Sequence, residues 1–151
     1  MSDIKVIATN RRARHDYEIS DEWEVGLVLT GSEIKSLRAG KANLKDSFAH
    51  LREGEVWLVN AYIGPYSFAH EGGHDPERTR KILMHRHQID RIAGSLAEKG
   101  LTLVPMRLYL KEGKAKLQLG LGKGKRTIDK RADLRKKEHD REMQRARRRL
   151  R

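Results

Sequence analysis

The charge of this chain is concentrated at one end, and that decides which part of it can fold. Residues 123–151 carry 14 Lys and Arg against 5 Asp and Glu, whereas residues 1–122 carry 19 against 16. The apolar side chains of the last segment are Ile128, Ala132, Leu134, Met143, Ala146 and Leu150, and they form no continuous stripe at helical spacing. Such a segment cannot bury enough apolar surface to offset the entropy of ordering it. The core must therefore come from residues 1–122, followed by a basic tail, 123–151, that is disordered when free. The tail has no Gly or Pro after Gly124, and the pairs Asp133/Lys137, Glu138/Arg141 and Glu142/Arg145 would meet on successive helical turns. It is expected to become helical once a polyanion neutralises it.

Across the whole chain the formal net charge is +12, the sequence pI is about 10.2, and 36% of residues are charged. A balance this basic points to a polyanionic partner. The absence of Cys excludes a disulfide framework, a thiolate nucleophile and a Cys-ligated zinc. The start, Met1 to Lys5, carries no apolar stretch of the kind a signal peptide needs, and no apolar run reaches membrane-spanning length. The sequence is read as a cytoplasmic monomer that does not enter membranes and needs no cofactor.

Within residues 1–122, two-residue and 3.6-residue periods alternate, with strands predominating. Trp23, Val25, Leu27 and Leu29 form one face of a strand and Glu24, Gly26, Val28 and Thr30 the other, so Glu24 should project away from the core. Thr30-Gly31-Ser32-Glu33 is a capping-box pattern that opens a short helix through Ile34 and Leu37 to a stop at Gly40, with Lys35 and Arg38 on one face. Ser47–Arg52 and Val56–Ile63 flank Glu53-Gly54-Glu55 as a hairpin. Residues 64–79 read as a long loop. Ile89, Ile92, Ala93 and Leu96 give a helix closed by Gly100. Two last strands, Leu101–Lys111 and Ala115–Leu121, turn at Glu112-Gly113, with Pro105 marking an edge or a bulge. About six short strands with inserted helices predict a mainly β fold, an OB-like, partly open antiparallel barrel.

Two motifs mimic catalytic chemistry. His70-Glu71-Gly72-Gly73-His74 has the H-E-x-x-H spacing of a zinc hydrolase, which would use His70 and His74 as ligands and Glu71 as base. That geometry needs a helix, and two central glycines followed by Asp75-Pro76 oppose one. Gly120-Leu121-Gly122-Lys123-Gly124-Lys125-Arg126 fails the phosphate-loop pattern and reads as a glycine hinge whose Lys123, Lys125 and Arg126 grip phosphates. No catalytic residue and no metal site is assigned.

Three further clusters of basic residues stand out: Arg11, Arg12 and Arg14 beside Asn10; Lys35, Arg38, Lys41 and Lys45; and Arg78, Arg80, Lys81, His85, Arg86 and His87. Basic groups spaced over a nearly neutral barrel favour recognition of a folded RNA through its shape and phosphates. A general ribosome-associated or RNA-chaperone barrel would share this pattern.

Four runs occur in collinear order: Asn10-Arg11-Arg12-Ala13-Arg14-His15-Asp16-Tyr17, GSEIKSLRAGKANLKD from Gly31 to Asp46, His74-Asp75-Pro76 with Arg78 to Leu83, and GKGKRTIDKR from Gly122 to Arg131. Together they resemble the SsrA-binding protein (small protein B) family over nearly the whole chain. The resemblance implies an OB-like barrel that binds the tRNA-like domain of transfer-messenger RNA and delivers it to stalled ribosomes. It further implies a tail that enters the empty mRNA channel and acts at the small-subunit decoding centre. Asn10, Glu24 and Leu83 fall where the family binds RNA, and Asp129-Lys130-Arg131 where its tail acts in the ribosome. Ile128 stands where relatives often carry an aromatic residue or histidine, leaving apolar packing in place of stacking.

Overall fold

The computed structural model describes residues 3–66, 74–97, 100–125, 139 and 141–145. Its elements run β1 (Ile4–Thr9), α1 (Ala13–Asp16), β2 (Tyr17–Leu27), α2 (Gly31–Arg38), β3 (Ala42–Asn43), β4 (Phe48–Arg52), β5 (Glu55–Val59), β6 (Tyr62–Ile63), β7 (Arg80–Leu83), α3 (Arg86–Leu96), β8 (Leu101–Lys111) and β9 (Lys114–Gly124). His139 and residues 141–145 are helical.

The main sheet has the order β1-β8-β4-β5-β7-β2-β9, and β9 also pairs with β8. That last pairing closes β8, β4, β5, β7, β2 and β9 into an antiparallel barrel, the mainly β, OB-like fold expected from the sequence, with a single residue pair joining β4 to β8. Closure is possible because β8 is long enough to change partners on one edge. At Leu103 it meets Ala49 of β4, and from Arg107 to Lys111 it pairs with β1. The register slips between Pro105 and Arg107, so the expected irregularity at Pro105 is a bulge.

Alternation along the strands fills the barrel. Val25, Leu27, Val56, Leu58, Ile82, Leu103, Leu108, Leu117 and Leu119 all point into one core, joined by Ile89 and Ile92 of α3 and by Leu37 of α2. The capping box on α2 is formed as predicted, with Thr30 Oγ1 accepting from Glu33 N and Glu33 accepting from Thr30 N. Both tight hairpins carry a left-handed pair at the turn, Glu53-Gly54 (φ 53°, 73°) and Glu112-Gly113 (φ 51°, 78°). That geometry matches the twist of the flanking strands.

Several expectations are corrected. The run Val56–Ile63 is broken at Asn60, whose φ of 63° turns the chain, and Tyr62–Ile63 pairs instead with Ala42–Asn43. β1 and β7 had not been expected. Helix α3 ends at Leu96, and Gly100 (φ 90°) turns the chain into β8 instead of capping the helix. The last strand runs to Gly124, past Leu121 where it was expected to end.

The glycine run is no hinge where it is described. Gly120 and Gly122 are buried inside β9, and β2 crosses them closely. A Cβ on Gly122 would lie 2.9 Å from Ile19 Cδ1 and 3.1 Å from the Glu18 carbonyl oxygen. These glycines supply room for a neighbouring strand.

Candidate nucleic-acid interface

Two cross-strand rows define the outer face of the barrel around Glu24. In the first, Thr9, Arg107, Gln118 and Glu24 lie side by side on β1, β8, β9 and β2. In the second, Val6, Tyr109, Lys116, Gly26 and Leu83 continue onto β7. Since Leu108 and Leu110 point inward, Arg107, Tyr109 and Lys111 must point outward. The structure thus brings Glu24 and Leu83, both predicted site residues, to one face, with Glu24 exposed as predicted. Leu83 is half exposed beside Gly26, whose missing side chain leaves room for it.

Glu24 is engaged within this face. Its carboxylate accepts from Tyr109 Oη at 2.6 Å and from Lys111 Nζ at 3.3 Å. The Tyr109 hydrogen bond is the largest influence on its pKa; partial burial opposes it, Lys111 adds to it, and the net effect is a lowered value. Tyr109 is pushed up to about 12, by burial and then by the same bond. The Arg107 guanidinium lies 4.9 Å from the Tyr109 ring centroid. Next along β2, Glu22 binds Arg14 at 2.6 Å and Gln118 at 2.9 Å.

Asn10 sits at the end of β1, where its amide donates to the Pro105 carbonyl and its backbone N–H to Met106. It is half buried and pins the β8 bulge next to Arg107. Arg11 and Arg12 are exposed at the rim of a cleft of about 650 Å³ that also includes Lys45, Phe48 and Thr102 to Pro105. Lys35, Arg38 and Lys41 are exposed on and just after α2. His85 opens α3 and stacks on His87 at 5.6 Å. Arg86 holds the Gly54 carbonyl and Glu55 at 2.6 and 3.0 Å, and Lys81 lies 3.8 Å from Glu55. Lys123 is exposed at the end of β9, and Lys125 N donates to the Asp16 carbonyl.

Arg80 is a correction. It was expected on the surface, but it is wholly buried and ion-paired to the equally buried Glu33. Its remaining donors reach the Ala61 carbonyl at 2.7 Å and the Pro76 carbonyl at 3.1 Å. Glu33 also accepts from Arg78 at 2.6 Å and Thr30 N at 2.8 Å. Burial works to raise the Glu33 pKa, yet the bonds from Arg78, Thr30 and Arg80 prevail and hold it at about 2. Burial likewise lowers that of Arg80. An arginine so enclosed cannot reach a phosphate; it ties α2 to β7.

Of the zinc-type motif, His70 and Glu71 lie outside the described residues. His74 has both ring nitrogens engaged, Nδ1 with Ser32 Oγ at 2.8 Å and Nε2 with the Ile63 carbonyl at 2.9 Å. It clamps the start of α2 to β6. Arg126, Ile128, Asp129, Lys130 and Arg131 also lie outside the described residues. Among the described residues no helix is long and apolar enough to cross a membrane.

Reading the sequence missed Arg107, Tyr109, Lys111, Lys116 and Gln118. Their signal is the polar half of the alternation in Arg107–Lys111 and Lys116–Gln118, opposite the apolar half that marks these strands.

A closed antiparallel barrel with Arg107, Lys111 and Lys116 on one outer face has the architecture and charge of a nucleic-acid-binding barrel. The family model described as SmpB protein matches residues 7–149. The chain belongs to this family. It is 56% identical over 142 residues to the SsrA-binding protein of Anoxybacillus flavithermus, covering 94% of this chain and 92% of that one. It is 54% identical to the SsrA-binding protein of Bacillus subtilis, covering 94% and 91%. A solved structure described as "tmRNA-SmpB: a journey to the center of the bacterial ribosome" aligns with a TM-score of 0.65 at 50% identity, covering 79% of this chain and 84% of that one.

Proposed function

We infer that this chain is a non-enzymatic RNA-binding adaptor of trans-translation, working in the cytoplasm. Its barrel binds the tRNA-like domain of transfer-messenger RNA and delivers it to stalled ribosomes. The tail from Arg126 onward occupies the empty mRNA channel, with Ile128, Asp129, Lys130 and Arg131 at the decoding centre. The observation that carries this reading is the outer face on which Glu24 and Leu83 lie beside Arg107, Lys111 and Lys116 in a chain of this family. Around it, Asn10 shapes the edge of β8, and Arg11, Arg12, Arg14, Lys35, Arg38, Lys41, Lys81, His85, Arg86, Lys123 and Lys125 supply a field for the phosphates.

The test is a pull-down of the full chain from its source cells with sequencing of the retained RNA. One abundant structured RNA, transfer-messenger RNA, should dominate; an even spread over ribosomal and messenger RNA would favour the RNA-chaperone reading. Replacing Asp129, Lys130 and Arg131 by Ala should leave binding of free transfer-messenger RNA intact and abolish rescue of stalled ribosomes.

A further inference from the structure

Glu24 presents a physical problem for an RNA interface. A carboxylate facing a phosphate backbone is repelled, so its value there must come from what it holds in place. What it holds is Tyr109, through a 2.6 Å bond to the phenol, and Lys111. Tyr109 is 3% exposed although its side chain lies on the outer face, because Arg107 covers it.

Arg107 differs from the arginines that carboxylates hold in place. Arg14 is tied to Glu22, Arg86 to Glu55, and Arg78 and Arg80 to Glu33. Arg107 forms no ion pair among the described residues, and its Nε is buried without a hydrogen-bond partner. Arg78 Nε is similarly unpaired, but Arg78 is anchored through Nη2 to Glu33 and to the Val28 carbonyl. What holds Arg107 is the Tyr109 ring beneath it. A planar guanidinium held over an aromatic ring, with donors unspent, is preorganised to meet a planar pair of anionic oxygens. Its place in the fold supports this: it follows the β8 bulge that Asn10 pins, and bulges re-aim side chains. Glu22 and Glu24, on the same outer face of β2, already have cations of their own in Arg14 and Lys111.

We propose that Arg107 is an RNA phosphate contact, held in position by the Tyr109 ring, and that Glu24 is a positioning residue that fixes Tyr109. The inference rests on the RNA-binding reading above and names a contact within it. Glu24 thereby serves a polyanion interface without touching the polyanion.

The experiment measures binding of the full chain to an RNA comprising the tRNA-like domain of transfer-messenger RNA, as a function of salt. Arg107→Ala should lower the slope of log K against log salt by about 0.7–0.9, the signature of one lost phosphate contact. Arg107→Gln keeps a side-chain donor on a shorter side chain but loses the charge, and should show the same drop. Tyr109→Leu removes the platform, so its loss should not add to that of Arg107→Ala in the double variant. Tyr109→Phe keeps the ring and breaks only the bond to Glu24; combined with Glu24→Ala it should be no worse than Glu24→Ala alone. Melting temperatures, read alongside, should stay within a few degrees for both Arg107 variants. Unchanged slopes for both of them would overturn the proposal, as would strictly additive losses for Arg107→Ala and Tyr109→Leu. If the unaltered chain fails to prefer this RNA over a competitor RNA, the functional reading itself fails.

Discussion

Two glutamates in this barrel each gather charged and neutral donors, and they do opposite work. Glu33 is sealed inside with Arg80, accepts from Thr30 N and Arg78 as well, and leaves no oxygen for a partner molecule. Glu24 lies on the outer face, and the groups it fixes, Tyr109 and Lys111, stand next to Arg107. The chemistry of the two clusters is nearly the same. Access to water separates them: both oxygens of Glu33 are met inside the protein, whereas Glu24 keeps its carboxylate on a face that a ligand can reach.

The comparison can be broken first at Glu33. Glu33→Ala strands the Arg80 guanidinium in the core and should destabilise the fold by about 3–5 kcal/mol, measured by chemical denaturation. Replacing both partners by apolar residues, Glu33→Leu with Arg80→Met, should recover a large part of that loss. If Glu33→Ala unfolds like the unaltered chain, the buried pair is not what ties α2 to β7.

Acid should reveal the same asymmetry. The Glu33 pKa is about 2 in the folded chain, below its ordinary value of 4.5, so its contribution is fully present above pH 4.5 and is lost as pH falls toward 2. The difference corresponds to about 3 kcal/mol. Denaturation between pH 5 and 2 should show a steep fall that Glu33→Gln flattens, and a profile equally steep in the variant would refute the assignment.

Gly122 gives a smaller effect of a different kind. Gly122→Ala would push a Cβ against Ile19, Glu18 and Tyr17, costing about 1–3 kcal/mol by overpacking β2 against β9. A variant of unchanged stability would restore the hinge interpretation.

These sites also show how far the sequence could be read. The turns at Glu53-Gly54 and Glu112-Gly113, the capping box at Thr30 and the outward aim of Glu24 were legible because each rests on a few adjacent residues. β1 was not, because its Ile4 and Val6 are exposed and only its partner β8 makes it a strand. β7 was hidden by Arg80, a charge at a core position that reads as surface until its partner 47 residues away is known. Gly122 was misread because composition reports its freedom and not its neighbour. Arg107 and Tyr109 are legible as the outward half of the alternation in β8, but their link to Glu24 is not, because Glu24 lies on another strand.

The most direct measurement pairs RNA affinity with melting temperature for Glu24→Ala in the full chain. Losing the hydrogen bonds that fix Tyr109 and Lys111 should weaken binding to the tRNA-like domain of transfer-messenger RNA about fivefold, the equivalent of about 1 kcal/mol, while the melting temperature stays within a few degrees. Unchanged affinity, or a melting temperature that falls as far as that of Glu33→Ala, would contradict the division between a cluster that builds the barrel and a cluster that presents it to RNA.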